Sequence, residues 1–195
     1  MKAAVPTCFA WALSSPEITR YHDTEWGVPL HDERGLFEQV VLEGAQAGLS
    51  WEIVLKKREG YRMTFAGFDP EVVASFTDAD VDRLVANPAI IRHRKKIEAT
   101  IGNAHAFLET AEKYGSFAQY IWNFVDGKPI HNSWTDAMQV PANTPLAHMI
   151  SKDLKKRGFS FVGPTTVYAF MQATGMVNDH LVSCFRHHEI RATHS

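Results

Sequence analysis

Apolar residues recur at spacings of three and four along almost the whole chain, and the alternating polar–apolar runs of half-buried strands are nearly absent. That period commits the chain to helices packed on helices, an all-α helical bundle with short connections. The clearest segment spans about Glu33 to Ala47, with Leu36, Phe37, Val40 and Val41 on its buried stripe. Gly48-Leu49 breaks it, and Ser50 caps a second helix that ends near Gly60. A short helix follows Asp69-Pro70, another starts at Thr77 with Asp80 at the capping position, and Asn87-Pro88 stops it. A long helix covers about Ile91 to Tyr114. Ser116 caps the next, which stops at Asp126-Gly127, and the polar stretch from Lys128 to Asn143 reads as the longest loop. Thr144-Pro145 and Gly163-Pro164 open helices ending at Gly158 and Gly175, and a last short helix is expected to carry His180 and Cys184. At 195 residues the expected organisation is one domain over 1–195, built as two packed helical lobes.

Only two cysteines occur, Cys8 and Cys184, each with a histidine at usable spacing, His22 and His180. Residues four apart share a helix face, so His180 and Cys184 could grip one ion from adjacent turns. A Cys/His/His/Cys set fills the four tetrahedral positions of Zn²⁺ and leaves none for water, which makes a structural clamp. Two other readings stand beside it: unrelated core thiols, or a Cys8–Cys184 disulfide in an exported protein. The composition is 45% hydrophobic and 22% charged, ordinary for a globular chain. No run approaches the ~18 apolar residues of a membrane span. Pro6 and Trp11 interrupt what would be the core of a signal peptide. The expected setting is cytosolic, with no membrane partner.

The net charge of −2 argues against a nucleic-acid partner only if charge is evenly spread. It is not. Three runs, at 56–58, 92–96 and 152–157, hold eleven of the twenty basic residues, while acidic residues gather at 17–38 and 69–82. Such segregation gives either a basic face for nucleic acid or simply solvated helix surfaces.

Two places break the local rules. Glu43 falls on the apolar stripe with Leu36 and Val40, where a carboxylate must neutralise, find partners or serve a function. Beyond it, Gly44 and Gly48 permit close backbone approach, Leu49 sits on a tight turn, and Trp51 offers a flat face near the same opening. A plain helix–helix corner would look the same. Asn87-Pro-Ala-Ile-Ile-Arg92 joins a short helix to a long basic one and could present backbone N–H groups to a phosphate.

Five segments together resemble the motifs of the 3-methyladenine DNA glycosylase I family. They are Tyr21-His-Asp-Thr-Glu-Trp-Gly-Val-Pro29, Leu42-Glu-Gly-Ala-Gln-Ala-Gly-Leu-Ser-Trp51, Ile90-Ile-Arg-His-Arg-Lys-Lys-Ile97, Lys155-Lys-Arg-Gly-Phe-Ser-Phe-Val-Gly163 and Val177-Asn-Asp-His180. The resemblance implies a bacterial base-excision repair enzyme of the helix-hairpin-helix superfamily, acting near the nucleoid on double-stranded DNA that carries alkylated bases. Its product would be free 3-methyladenine. Carried over, the ligands of one structural zinc fall on Cys8, His22, His180 and Cys184. The base pocket falls on Tyr21, Glu43 and Trp51, with Trp11 and Trp26 lining it and Glu43 as the catalytic group. Gly48 and Leu49 match the segment that plugs the gap left by the flipped nucleotide. The hairpin falls on Asn87 to Arg92, so Ile90, Ile91, Arg92, Arg94 and Lys95 join the DNA-binding set; Pro88 and Ala89 replace the glycine usual before the two isoleucines.

The implied chemistry suits these residues. Alkylation at N3 makes adenine a cation, already a good leaving group, and an indole face attracts such a cation by ~1–2 kcal/mol when desolvated. A buried carboxylate and a tyrosine hydroxyl complete a pocket for a positive purine. No lysine is placed for Schiff-base chemistry, which implies a monofunctional enzyme, and two cysteines cannot hold an iron–sulfur cluster. A non-enzymatic DNA-binding module and a zinc hydrolase are the competing classes. Nothing in the sequence demands more than a monomer.

Overall fold

A computed structural model describes residues 8–193. The stretch through Thr7, weighed above as a signal peptide, lies outside the described residues. Ten α-helices account for most of them: α1 Pro16–Thr24, α2 Glu33–Gln46, α3 Trp51–Thr64, α4 Pro70–Ala74, α5 Asp78–Ala86, α6 Arg94–Tyr114, α7 Phe117–Trp122, α8 Pro145–Lys156, α9 Pro164–Ala173 and α10 Phe185–Thr193. Two short strands, β1 Ile130–His131 and β2 Val177–Asn178, pair in parallel. No helix among the described residues is long and apolar enough to cross a membrane.

Most helix starts are written in local chemistry. Side chains of Ser15, Asp32, Ser50, Asp69, Ser116 and Thr144 accept from the otherwise unpaired amides of the first turn. Thr77 and Asp80 form the expected capping box. Glu33 does more than begin its own helix: its carboxylate accepts from the amides of Phe117 and Ala118, at 3.0 and 2.8 Å, and so caps α7 from 84 residues away.

Helix α2 is the axis of the fold, packed on α3, α6, α7 and α9. All ten residues from Leu36 to Ala45 are buried, so the helix has an apolar surround rather than a single buried stripe. One hydrophobic cluster runs from Leu36 to Val177, and two small ones lie beside it, around Cys8/Leu181/Cys184 and Tyr21/Trp26/Ala173.

Four features differ from the periodicity, and two of them, the end of α3 and the start of α6, for a tertiary reason. Helix α1 escapes the pattern because it is short and buries only Ile18, Tyr21 and His22. Helix α3 continues through Gly60, where a Cβ would overlap the Ala89 carbonyl; glycine is there to let the hairpin close on the helix. The long helix starts at Arg94 instead of Ile91, because the hairpin holds residues 91–93 out of the helix and the His93 ring caps the Lys96 amide. The Lys128–Asn143 loop contains β1 and a 3-10 turn at Ala137–Gln139.

The last helix does not carry His180 or Cys184. It begins at Phe185, and the two residues sit in the turns that follow β2. The buried Asp179 carboxylate accepts from Asn132, Trp134, Tyr168 and Gln172, and this clasp of four donors keeps the segment out of helical geometry.

Candidate active site

Glu43 is 5% exposed, and its Oε2 has no hydrogen-bond partner. Burial pushes the carboxyl up to about 8. A cavity of about 600 Å³ lies against it. The cavity wall is aromatic, built from Phe9, Trp11, Tyr21, Trp26 and Trp51. Ser50, as N-cap of α3, sets Trp51 at the first helical position, with its indole centroid 5.3 Å from that of Tyr21 and the planes at 47°. The Trp51 Nε1 is also buried without a partner, so the cavity edge holds one unmet donor and one unmet acceptor. Tyr21 is buried, and both that burial and the nearby Glu43 push its hydroxyl well above its usual range.

The five expected pocket residues therefore meet in one place. Several residues there were not anticipated. Gln46 lies one turn beyond Glu43, and Ser50 and Glu52 flank Trp51, so helical spacing alone could have suggested them. Ala169 and Gln172 come from α9, and Ala137 and Val140 from the β1-side loop; nothing local in the sequence points to them. Glu52 is occupied by Lys56, at 2.7 Å.

The expected DNA face divides. Gly48 has φ of +80°, a conformation that favours glycine, and it throws Leu49 outward, 37% exposed, at the tip of the turn. Arg92 and Lys95 are exposed at the hairpin end. Arg94 is bonded to Asp82 and lies 3.8 Å from Glu98, which offsets its charge. Ile90 is 1% exposed and Ile91 is half-buried against the core, so both side chains anchor the hairpin. Lys57 Nζ holds the hairpin from outside through the Pro88 carbonyl, at 2.7 Å.

Against the other side of the pocket, Cys8, His22, His180 and Cys184 form a fully buried group whose candidate ligand atoms all lie within 4.8 Å of one another. His180 Nδ1 is 3.2 Å from the Cys8 sulfur and 3.6 Å from that of Cys184, and His22 Nε2 is 4.0 Å from Cys184. Ligand atoms around a tetrahedral ion with bonds of about 2.0–2.3 Å lie roughly 3.3–3.8 Å apart; the His180 pairs are near that spacing, and the wider ones would draw in by about an ångström or less on such an ion. The outer nitrogens are committed: His180 Nε2 donates to the Trp26 carbonyl at 2.9 Å and His22 Nδ1 to Asp23 at 2.7 Å. The Cys184 thiol is pulled far down by the hydrogen bond from Cys8, and the same pairing pushes Cys8 up. Both cysteines are free, which removes the disulfide. His187 and His188, next to the group in sequence, bond the carbonyls of Asn132 and Val182. Trp26 joins the two sites, since it lines the cavity while its ring packs 4.6 Å from that of His180.

The match to known proteins covers most of this arrangement. A family model described as methyladenine glycosylase matches residues 11–187. The chain is 51% identical over 174 residues to the DNA-3-methyladenine glycosylase 1 of Escherichia coli K12, covering 89% of this chain and 93% of that one. It is equally identical to the DNA-3-methyladenine glycosylase of Haemophilus influenzae, at 89% and 94% coverage. The structure of 3-methyladenine DNA glycosylase I from Staphylococcus aureus, described as the basis of 3-methyladenine recognition, superposes with a TM-score of 0.90 at 42% identity, covering 94% of this chain and 97% of that one. With a family model matched over most of its length and relatives 51% identical across 89% of it, the chain belongs to the methyladenine glycosylase family.

Proposed function

We propose that this protein is a monofunctional DNA glycosylase of base excision repair, which hydrolyses the N-glycosidic bond of 3-methyladenine flipped out of alkylated double-stranded DNA. The observation that carries the reading is the Glu43 carboxyl, buried with an unpartnered oxygen against an aromatic cavity. A neutral base gains little from such a site. A cationic one meets the π faces of Trp51 and Tyr21 and a group that ionises on its arrival. Glu43 accepts from the exocyclic amine and Tyr21 bounds the edge of the base. Bond breakage sends its electron pair into the purine ring and cancels the ring's positive charge, so the leaving group needs no acid. Water adds to the sugar carbon and gives up its proton to a carboxylate, which passes it to solvent. Of the two carboxyls at the cavity, Glu52 is tied to Lys56, which leaves Glu43 to orient that water. No lysine lines the cavity among the described residues, in keeping with hydrolysis without strand cleavage.

Leu49 enters the stack in place of the extruded base, and Arg92, Lys95 and the hairpin backbone hold phosphates. The Cys8, His22, His180 and Cys184 group holds one structural Zn²⁺: two thiolates and two neutral imidazoles leave no open position for catalysis. Such a substrate places the enzyme with the chromosome in the bacterial cytoplasm.

The test is incubation with methylated duplex DNA and identification of the freed base by chromatography. Wild type is expected to release 3-methyladenine. Glu43→Gln should slow release by roughly 100-fold or more while duplex binding persists, the range for a lost catalytic carboxylate. Release of 3-methyladenine by Glu43→Gln at the wild-type rate would refute the role of Glu43, and a wild-type protein that frees no 3-methyladenine would refute the function.

A further inference from the structure

The basic run at 92–96 reads as one charged surface in the sequence, yet its last member turns inward. Lys96 Nζ donates to the carbonyl of Ala45 at 2.8 Å and to that of Ala47 at 2.7 Å. These carbonyls belong to the end of α2, where the last turn of a helix has no amides to accept from. The turn that follows is thinly supported. Leu49 N donates to the Gln46 carbonyl at 2.6 Å, Gly48 is at positive φ, and a Cβ on Gly48 would meet nothing within 4 Å. A cation placed at the negative end of the helix dipole is therefore its chief tertiary tie. The side chain is half-buried, and desolvation lowers its affinity for a proton.

We propose that Lys96 is a positioning residue for base extrusion, holding the Gly48–Leu49 turn at the angle at which Leu49 enters the helix stack. It lies in the first turn of α6, directly after the hairpin, so one side chain links the element that grips phosphate to the element that fills the gap. Two of its three N–H groups are spent on the turn, which sets it apart from Arg92 and Lys95. This inference rests on the reading of Leu49 as the wedge.

The experiment compares Lys96→Met, Lys96→Arg and Leu49→Ala in single-turnover excision of 3-methyladenine from two substrates. In one the lesion faces thymine in an intact duplex; in the other it faces an abasic site, where less stacking has to be broken. Affinity for free 3-methyladenine is read from tryptophan fluorescence. Lys96→Met should slow excision from the intact duplex by roughly 10–100-fold, about the worth of one hydrogen bond to a charged group. It should lose less on the abasic substrate and leave free-base affinity unchanged, and Lys96→Arg should recover most of the rate. An unaltered duplex rate in Lys96→Met, with Leu49→Ala impaired, overturns the role of Lys96 alone. Equal losses on both substrates together with lost free-base affinity also overturn it, since they mark a collapsed pocket. A Leu49→Ala enzyme with full duplex activity removes the wedge itself.

Discussion

Burial raises the Glu43 carboxyl to about 8, whereas an unfolded chain releases its proton near 4.5. Between those values the folded state binds the extra proton. Its contribution to stability is complete below 4.5 and drains away as pH rises through 8. At ~1.36 kcal/mol per unit, the buried carboxylate destabilises the fold by roughly 3–5 kcal/mol at pH 9. Glu43→Gln removes that ionisation. In thermal melts its Tm should exceed wild type by most at pH 9, with the gap closing toward pH 5. A gap that ignores pH would mean the carboxyl is solvated or paired in solution. The residue was legible in the sequence as a carboxylate on an apolar stripe. That every side of its helix is buried was not, because burial depends on α3, α6, α7 and α9 arriving around it.

Elements show the same division. Caps act over three or four residues, so Ser50, Thr77, Ser116 and Thr144 mark helix starts that the structure reproduces. Gly60 was misread as a helix end because its purpose is the hairpin 29 residues ahead, where the Ala89 carbonyl occupies the space of a side chain. Gly60→Ala should therefore cost about 1–3 kcal/mol by overpacking, and more than helix propensity would suggest, since alanine is otherwise the better helix former. Because the hairpin is what moves, duplex affinity should fall while free-base binding holds, measurable by DNA titration beside base titration. A more stable Gly60→Ala protein with normal DNA affinity would show that hairpin and helix are not in contact.

Across the whole molecule, the Cys and His group joins residues 172 positions apart, and through Trp26 it also buttresses the pocket wall. Metal removal should then act on fold and substrate together. Elemental analysis should find one Zn²⁺ per chain, and Cys184→Ala should abolish it and lower stability on the order of 3–5 kcal/mol, as when a buried charge cluster loses a member. Base affinity should weaken in the same variant. A chelated enzyme that melts normally but stops turning over would instead point to a metal with an open coordination position.

What the chain determined alone was its helical period, its caps and the identity of its rule-breaking residues, because these depend on neighbours within one or two turns. Only the tertiary structure decided the turn that carries His180 and Cys184, the inward swing of Lys96 and the burial of Ile90. Each is set by a partner far along the chain: the Asp179 clasp, the carbonyls ending α2, the core against which the hairpin closes. Local spacing carries no information about which distant group will arrive, and the free energy of burying or pairing a polar atom is settled only when it does.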